Sequence, residues 1–153
     1  MLSIILVSVG TIRNDNLSKL ALDYQQRLAP YAQIKIETVK AESFQADQTS
    51  RLKAQTQDEG RLQKVLQRYA DRKIYLLSEH GTLSDTPQFS NLISKEPVVL
   101  VLAGALGWSP EFAAQYPQLS LSPLTMTHEL AQVVLWEQLY RAATILQGKT
   151  YHY

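Results

Sequence analysis

Apolar runs alternate with amphipathic segments along the chain, and this alternation predicts its secondary structure. Short apolar, β-branched runs bounded by turn residues are typical of buried strands. Segments with apolar residues three or four positions apart are typical of helices. The predicted strands are Leu2–Val9, Gln33–Val39, Lys73–Leu77, Pro97–Leu102 and Gln118–Leu121. The predicted helices start near Leu17, at Arg51, after Asp85, after Ser109 and near Glu129, the last of them ending at Leu146.

This order of elements indicates an α/β fold with a mostly parallel, five- to six-stranded sheet and helices on both faces. A chain of 153 residues fits one domain, residues 1–153. In such sheets ligands bind beyond the carboxyl ends of the strands. The loops 78–84, 103–108 and 122–128 are therefore predicted to form a pocket.

Two segments in the first half of the chain depart from the alternation of apolar runs and amphipathic segments. Residues 40–50 are polar and predict a mobile loop. Gly60 lies inside the helix predicted for Arg51–Tyr69, and glycine in a helix interior costs about 1 kcal/mol relative to alanine. The sequence therefore leaves two starts open for this helix, at Arg51 or near Gly60.

Composition narrows the protein class. Hydrophobic residues make up 45% of the chain and charged residues 19%, which is typical of a globular protein. The chain has no cysteine, so disulfides, thiolate metal sites and cysteine nucleophiles are excluded. The apolar start lacks a basic leader, and no apolar run reaches the ~18 residues of a membrane helix. We expect a cytoplasmic protein with no membrane segment.

Charge is unevenly distributed along the chain. Residues 1–73 carry 12 Lys/Arg and 8 Asp/Glu, a net charge of +4, whereas residues 74–153 carry a net charge of −3. Arg61, Lys64, Arg68 and Arg72 fall at helical spacing. Such a ridge is either a solvent-exposed face whose aliphatic stems cover apolar surface or a set of contacts to nucleic-acid phosphates. The sequence leaves both interpretations open.

The predicted pocket carries none of the common catalytic or phosphate-binding motifs. The GxxxxGK[ST] motif, a GxGxxG turn after the first strand, a GxSxG elbow and metal-ligand spacing are all absent from the sequence. Gly104 and Gly107 would let a ligand approach the main chain closely, although each alone is more typical of a tight turn. An apolar pocket rich in main-chain groups favours a neutral or cationic nucleoside over a polyphosphate.

Several segments resemble one family across essentially the whole chain. These are VSVGT, Asp58-Glu59-Gly60, Asp85-Thr86-Pro87-Gln88, LAGALGWSPEF, SLSPLTMTHEL, EQLYRAATI and the closing TYHY, and they resemble the RlmH-type methyltransferases of the SPOUT class. The resemblance implies a trefoil knot over about residues 73–153 and a homodimer whose site is completed by both protomers. It implies S-adenosylmethionine bound in the knot, no metal, and methylation of N3 of a pseudouridine in a hairpin of large-subunit ribosomal RNA.

The same resemblance assigns site residues. Those implied to bind the cofactor are Leu77, Gly104, Ser122, Pro123, Leu124, Thr125, Met126 and Thr127. The implied catalytic residues are Tyr151 and His152, which match the family's terminal Tyr-His near the methyl acceptor, and His128 and Arg141. His128 matches the histidine that begins the family's last helix, and Arg141 matches the arginine of its LYRA segment. The acceptor imide must lose a proton, and imidazole suits this role. His152 is the first candidate base and His128 the second; packing or RNA binding are the alternative roles.

Four positions depart from the family pattern. Leu102-Ala103-Gly104 replaces IGG, Thr127-His128-Glu129 replaces Pro-His-Pro, Gln132 replaces an arginine and Tyr153 replaces a basic residue. Loss of two positive charges would weaken phosphate contacts, whereas Tyr153 is able to stack on a base. Two alternatives therefore stay open: an RNA- or ribosome-binding module of this fold with weak or no activity, and a methyltransferase with another RNA acceptor.

The last predicted helix carries unusually many apolar residues. They are Val133, Val134, Leu135, Trp136, Leu139, Tyr140 and Ile145. We expect that they cannot all face one small core, and that part of this surface meets a partner. The helix therefore gives a second reason, independent of the resemblance, to expect self-association.

Overall fold

Five apolar runs form the strands of one parallel sheet in the computed structural model, which describes residues 1–153. The strands are β1 (Leu2–Val9), β2 (Ala32–Val39), β3 (Lys73–Leu83), β4 (Val98–Leu102) and β5 (Gln118–Ser120). Their order across the sheet is β2-β1-β4-β3-β5, and every neighbouring pair is parallel. The α/β fold and the parallel five-stranded sheet are confirmed. The trefoil knot is a question of chain threading and stays a prediction.

Helices cover both faces of the sheet, as predicted. They are α1 (Asp15–Leu28), α2 (Gln48–Leu66, continued by a 3₁₀ turn at Gln67–Tyr69), α3 (Thr86–Lys95), α4 (Pro110–Ala113) and α5 (His128–Leu146). A polar side chain caps the start of each helix by accepting main-chain N–H groups of the first turn. Such caps satisfy donors that the helix itself leaves unpaired, which fixes where each helix begins.

Alternation along the central strands divides the core into two layers. In β1 and β4, even-numbered residues such as Ile4 and Leu100 pack with α1, α3 and α5, and odd-numbered residues such as Val7 and Val99 pack with α2 and α4. All five residues of β4 are buried. Burial on both faces explains why this strand is a continuous apolar run rather than an alternating one.

Helix α5 buries more of its surface than the sequence suggests. Val133, Leu135, Trp136 and Leu139 are all buried in the core of a single chain. This is possible because α5 packs against α1 and α3 as well as against the sheet. The expectation that these apolar residues cannot all face one core is therefore wrong for these four, and the homodimer stays a prediction without their support.

Helix α2 begins earlier than predicted. It starts at Gln48, after the cap Asp47, and continues unbroken through Gly60. Burial of Ala54 and Leu62 on one face holds the helix on either side of the glycine. Of the two starts left open, the one near Gly60 is wrong because capping and packing outweigh the intrinsic cost of one glycine.

Replacing Gly60 with alanine is expected to stabilise the protein. A methyl group at Gly60 would have nothing within 4 Å, so the substitution removes only the conformational cost of glycine, about 1 kcal/mol. Chemical denaturation should show this gain in the free energy of unfolding.

Gly148 provides the matched control. A methyl group there also has nothing within 4 Å, but the backbone has φ +64°. The left-handed conformation makes Gly148→Ala cost about 1–2 kcal/mol. Destabilisation by Gly60→Ala would contradict the described helix.

Candidate cofactor-binding site

A cavity of about 340 Å³ opens at the carboxyl ends of β4 and β5, beside Leu77, Ser78 and Glu79 of β3. These strands are neighbours in the sheet, so the segments that follow them meet at one edge. All but one of the residues assigned to the cofactor line this cavity, namely Leu77, Gly104, Ser122, Leu124, Thr125, Met126 and Thr127. Pro123 is not among the lining residues. The predicted pocket is therefore present where strand order brings the three segments together.

Strand β3 differs from the prediction, because it continues to Leu83 instead of ending at Leu77. Leu77 and Thr82 both lie opposite Leu119 of β5, so the pairing register shifts between them. At Gly81 a Cβ would come within 2.7 Å of the β5 main chain. Glycine is thus required for the close approach of the two strands, and only Ser78 and Glu79 of the predicted loop line the cavity.

The segment after β5 is shaped by its own hydroxyl groups. The Ser120 hydroxyl donates to the main-chain oxygen of Ser122 over 2.9 Å. The Ser122 hydroxyl accepts from the N–H of Leu124 over 3.1 Å. Thr127 then caps α5, so that His128 begins the helix at the cavity wall. The Ser/Thr-rich sequence therefore fixes the main-chain path around the cavity.

The segment after β4 turns sharply beside the cavity. Gly107 has φ +66°, and its N–H donates to the oxygen of Gly104 over 3.2 Å. The indole N–H of Trp108 donates to the main-chain oxygen of Leu77 over 2.8 Å. This bond ties the loop after β4 to Leu77 in the middle of β3.

Helix α2 reaches the same loop from the other face of the sheet. The amide of Gln55 donates to the oxygens of Leu106 and Gly107 over 3.1 and 3.4 Å. The carboxylate of Glu59 accepts from the N–H and the hydroxyl of Ser109, each over 2.7 Å. The sequence analysis did not predict either contact. Glu59 was named there only as part of the family resemblance, and its partner Ser109 lies 50 residues away.

Asp58, next to Glu59, binds a different loop. Its carboxylate accepts from the N–H of Glu42 over 2.8 Å and lies 3.4 Å from the guanidinium of Arg61. Burial raises the pKa of Asp58 despite these two favourable contacts. Of residues 40–50, predicted to be a mobile loop, 48–50 belong to α2 and the rest are anchored to it at Glu42.

The cavity walls carry little charge. Glu79 is the one acidic lining residue, and no lysine or arginine lines the cavity. His128 is the one imidazole in the wall. No group of three or more His, Asp or Glu side chains is arranged to hold a metal ion. The surroundings match the apolar, main-chain-rich pocket that the sequence predicts.

The start of α5 is tethered beside the cavity by Glu129. Its carboxylate accepts from the main-chain N–H groups of Arg13 and Asn14 in the β1–α1 loop, and the second bond is 3.1 Å long. These two bonds lower the pKa of Glu129. The sequence showed Glu129 only as a departure from the family, whereas in the fold it joins two loops next to His128.

The chain terminus lies away from the cavity of its own chain. The Tyr151 hydroxyl donates to Glu137 over 3.2 Å, and the Arg141 guanidinium lies 4.7 Å from the centre of the Tyr151 ring. Glu137 follows His128 by nine residues, about 13 Å along the helix axis. The structure therefore brings Arg141 and Tyr151 together but separates them from His128. His152 and Tyr153 are exposed.

The environment of Tyr151 explains its firm attachment to α5. Desolvation by burial, followed by a hydrogen bond with Tyr24 and the negative charge of Glu137, raises the pKa of Tyr151. Glu137 also forms an ion pair with Arg141, 2.5 Å between nitrogen and oxygen. Tyr140 packs edge-on against Tyr151, with ring centres 4.8 Å apart. The phenol is thus held as a neutral hydrogen-bond donor.

The basic ridge is partly neutralised within the chain. Arg61 pairs with Glu42 over 2.6 Å, and Arg68 pairs with Glu37. Arg72 contacts the Ser3 hydroxyl over 3.4 Å, whereas Lys64 forms no ion pair. Arg61 and Arg68 therefore have structural partners that compete with any phosphate contact.

Gln132 does not lie on an exposed surface. It is 6% exposed on the core side of α5, and its side-chain nitrogen has no hydrogen-bond partner. The side chain is buried in the single chain, and an effect of Gln132 on contacts with RNA stays a prediction.

None of the helices is both long enough and apolar enough to cross a membrane.

Comparison with known proteins identifies the family. The family model described as "Predicted SPOUT methyltransferase" matches residues 2–152. Ribosomal RNA large subunit methyltransferase H of Pelobacter propionicus is 34% identical over 152 residues, which cover 95% of each chain. The protein of the same name from Shouchella clausii is 29% identical over 161 residues, which cover 99% of each chain.

Solved structures agree on the fold. TrmJ from Z. mobilis ZM4 superposes with a TM-score of 0.55 at 12% identity, covering 93% of this chain and 70% of that chain. A proposed RNA methyltransferase from Bacillus anthracis superposes with a TM-score of 0.57 at 11% identity, covering 93% and 95%. The family match over nearly the full length and the 34% identical relative show that this chain belongs to the SPOUT methyltransferase family.

Proposed function

We propose that this protein transfers a methyl group from S-adenosylmethionine to large-subunit ribosomal RNA. The observation that carries the proposal is the cavity beside β3 and beyond β4 and β5, which is lined by seven of the eight residues assigned to the cofactor. Family membership supports methyl transfer as the reaction. The relatives named as ribosomal RNA large subunit methyltransferases support the choice of RNA.

The cavity fits S-adenosylmethionine in size and charge. Its volume of about 340 Å³ is in the range typical of small-molecule sites. One acidic residue, Glu79, and no basic residue in the wall suit a ligand with a cationic centre and an uncharged base better than a polyphosphate. The main-chain groups of the loops at Gly104 and Met126 are available to hold the base.

When bound, S-adenosylmethionine supplies a methyl group that is already activated by its sulfonium centre. The protein must therefore align the acceptor and exclude water rather than activate the donor. The proposed holding residues are Leu77, Gly104, Ser122, Pro123, Leu124, Thr125, Met126 and Thr127.

The proposed acceptor is N3 of a pseudouridine, as the resemblance implies. This nitrogen carries a proton that must leave before or during attack. His128 lies in the cavity wall, and the exposed His152 follows the anchored Tyr151. We propose His152 as the base, with Arg141 as the residue that positions the chain terminus; His128 is the second candidate.

This assignment requires a homodimer. Tyr151 is bound to Glu137, which lies about 13 Å from His128 along α5, and no residue of the chain terminus lines the cavity. We propose that the terminus completes the cavity of a second protomer, where the exposed side chains of His152 and Tyr153 would meet the RNA.

Methyl transfer can be tested on bacterial ribosomes that lack the endogenous modification. With isotopically labelled S-adenosylmethionine, we expect mass spectrometry to locate one added methyl group on a pseudouridine of the large-subunit RNA. Ribosomes from a strain without that pseudouridine should remain unlabelled. Cofactor binding without methyl transfer to any ribosomal particle would instead indicate an RNA-binding module, and label on another nucleotide would indicate another acceptor.

Mixed dimers test whether the terminus acts on the partner. His152→Ala removes the proposed base, and Ala105→Trp fills the cavity from an exposed lining position. Each variant alone should be inactive, with kcat lowered by about 10²-fold or more for His152→Ala.

An equal mixture of the two variants should recover about a quarter of wild-type activity, because about half of the dimers would carry one intact site. No recovery after verified subunit exchange would show that the terminus does not complete a partner's cavity.

A further inference from the structure

One wall of the cavity is held from the opposite face of the sheet. Ala103, Gly104, Ala105 and Gly107 line the cavity and contribute no polar side chain. Any polar contact from this wall must come from its main chain, so the position of the backbone decides what a ligand meets. The contacts that fix this backbone therefore bear directly on ligand affinity.

Two side chains of α2 provide those contacts. Gln55 and Glu59 are one helical turn apart and face the same side. Gln55 donates to the oxygens of Leu106 and Gly107 over 3.1 and 3.4 Å. Glu59 accepts two hydrogen bonds from Ser109, each over 2.7 Å. Gln55 therefore holds the middle of the loop after β4, and Glu59 holds its end at Ser109.

The two hydrogen bonds that Glu59 accepts are stronger than the two that Gln55 donates. Hydrogen bonds to an ionised carboxylate are shorter and stronger than those between neutral groups. Ser109 in turn accepts from the N–H of Phe112 and caps α4. Phe112 stacks on Trp108 with ring centres 5.4 Å apart. Glu59 therefore fixes both the end of the loop and the helix that follows.

The opposite side of the loop is fixed by Trp108. Its indole N–H donates to the oxygen of Leu77, a residue of the neighbouring cavity wall. Gln55, Glu59 and Trp108 therefore set the separation of the two walls. Of these contacts, the ones made by Gln55 and Glu59 come from outside the strands and loops that form the cavity.

We propose that Gln55 and Glu59 are positioning residues that set the affinity for S-adenosylmethionine without touching it. This inference rests on the proposed function, in which that molecule occupies the cavity. It gives a physical role to the Glu59-Gly60 segment, which belongs to the family resemblance but has no part in the proposed methyl transfer.

Calorimetry with S-adenosylmethionine tests the inference in Gln55→Ala, Glu59→Ala and Glu59→Gln. Loss of one anchoring set should raise Kd by about tenfold in each alanine variant, the size expected for one hydrogen bond to a buried main chain. Glu59→Gln should lie between Glu59→Ala and wild type, since its amide oxygen still accepts from Ser109. In methyl transfer, KM for S-adenosylmethionine should rise while kcat at saturation changes little.

Gln63→Ala is the matched control. Gln63 lies on the same helix and donates to the Tyr116 hydroxyl over 3.2 Å, away from the cavity loop. The Gln63→Ala variant should lower Tm about as much as Gln55→Ala does, while leaving Kd for S-adenosylmethionine unchanged. Amide hydrogen exchange without ligand should be faster at residues 104–109 in Glu59→Ala than in Gln63→Ala.

The outcomes are separable. A wild-type protein that binds S-adenosylmethionine, together with alanine variants that bind it equally well, would overturn this inference alone. Equal loss of affinity in Gln63→Ala would also overturn it, because the effect would then follow general stability. A folded wild-type protein that does not bind would overturn the proposed function and this inference with it.

Discussion

The site depends on one constraint of the sheet: β4, β3 and β5 are adjacent and parallel. Because parallel strands end at the same edge, three segments far apart in sequence form one cavity there. Two of the glycines at this edge allow close approach of neighbouring strands. Gly81 lets β3 run against β5, and Gly104 packs against Val9 of β1, where a Cβ would lie 3.0 Å away.

Anchors from the rest of the chain then fix the segments that surround the cavity. Glu59 binds the end of the loop after β4, and Glu129 binds the β1–α1 loop next to His128. Both are carboxylates that accept main-chain N–H groups. A cavity with almost no charge in its walls is thus held by charged groups placed outside it.

Much of the fold and of the candidate site could be predicted from the sequence. Strand positions, helix caps and the three pocket segments follow from hydrophobic pattern and turn chemistry, and the family follows from motifs. The extension of β3, the burial of Trp136 and the pairing of Glu59 with Ser109 were missed. Each depends on which distant segments pack together, and a single sequence reports periodicity without reporting those partners. The separation of Tyr151 from His128 has the same origin, since the contact with Glu137 exists only after the terminus folds back.

The central claim is that S-adenosylmethionine is held by the middle of β3 and the segments beyond β4 and β5, beside the terminus of a second protomer. A crystal structure of the protein grown with S-adenosylmethionine tests it most directly. The account predicts electron density for the ligand between Leu77, Gly104 and Met126, with a partner's terminal Tyr-His over the methyl group. Ligand density elsewhere, or a cavity closed by its own side chains, would contradict it.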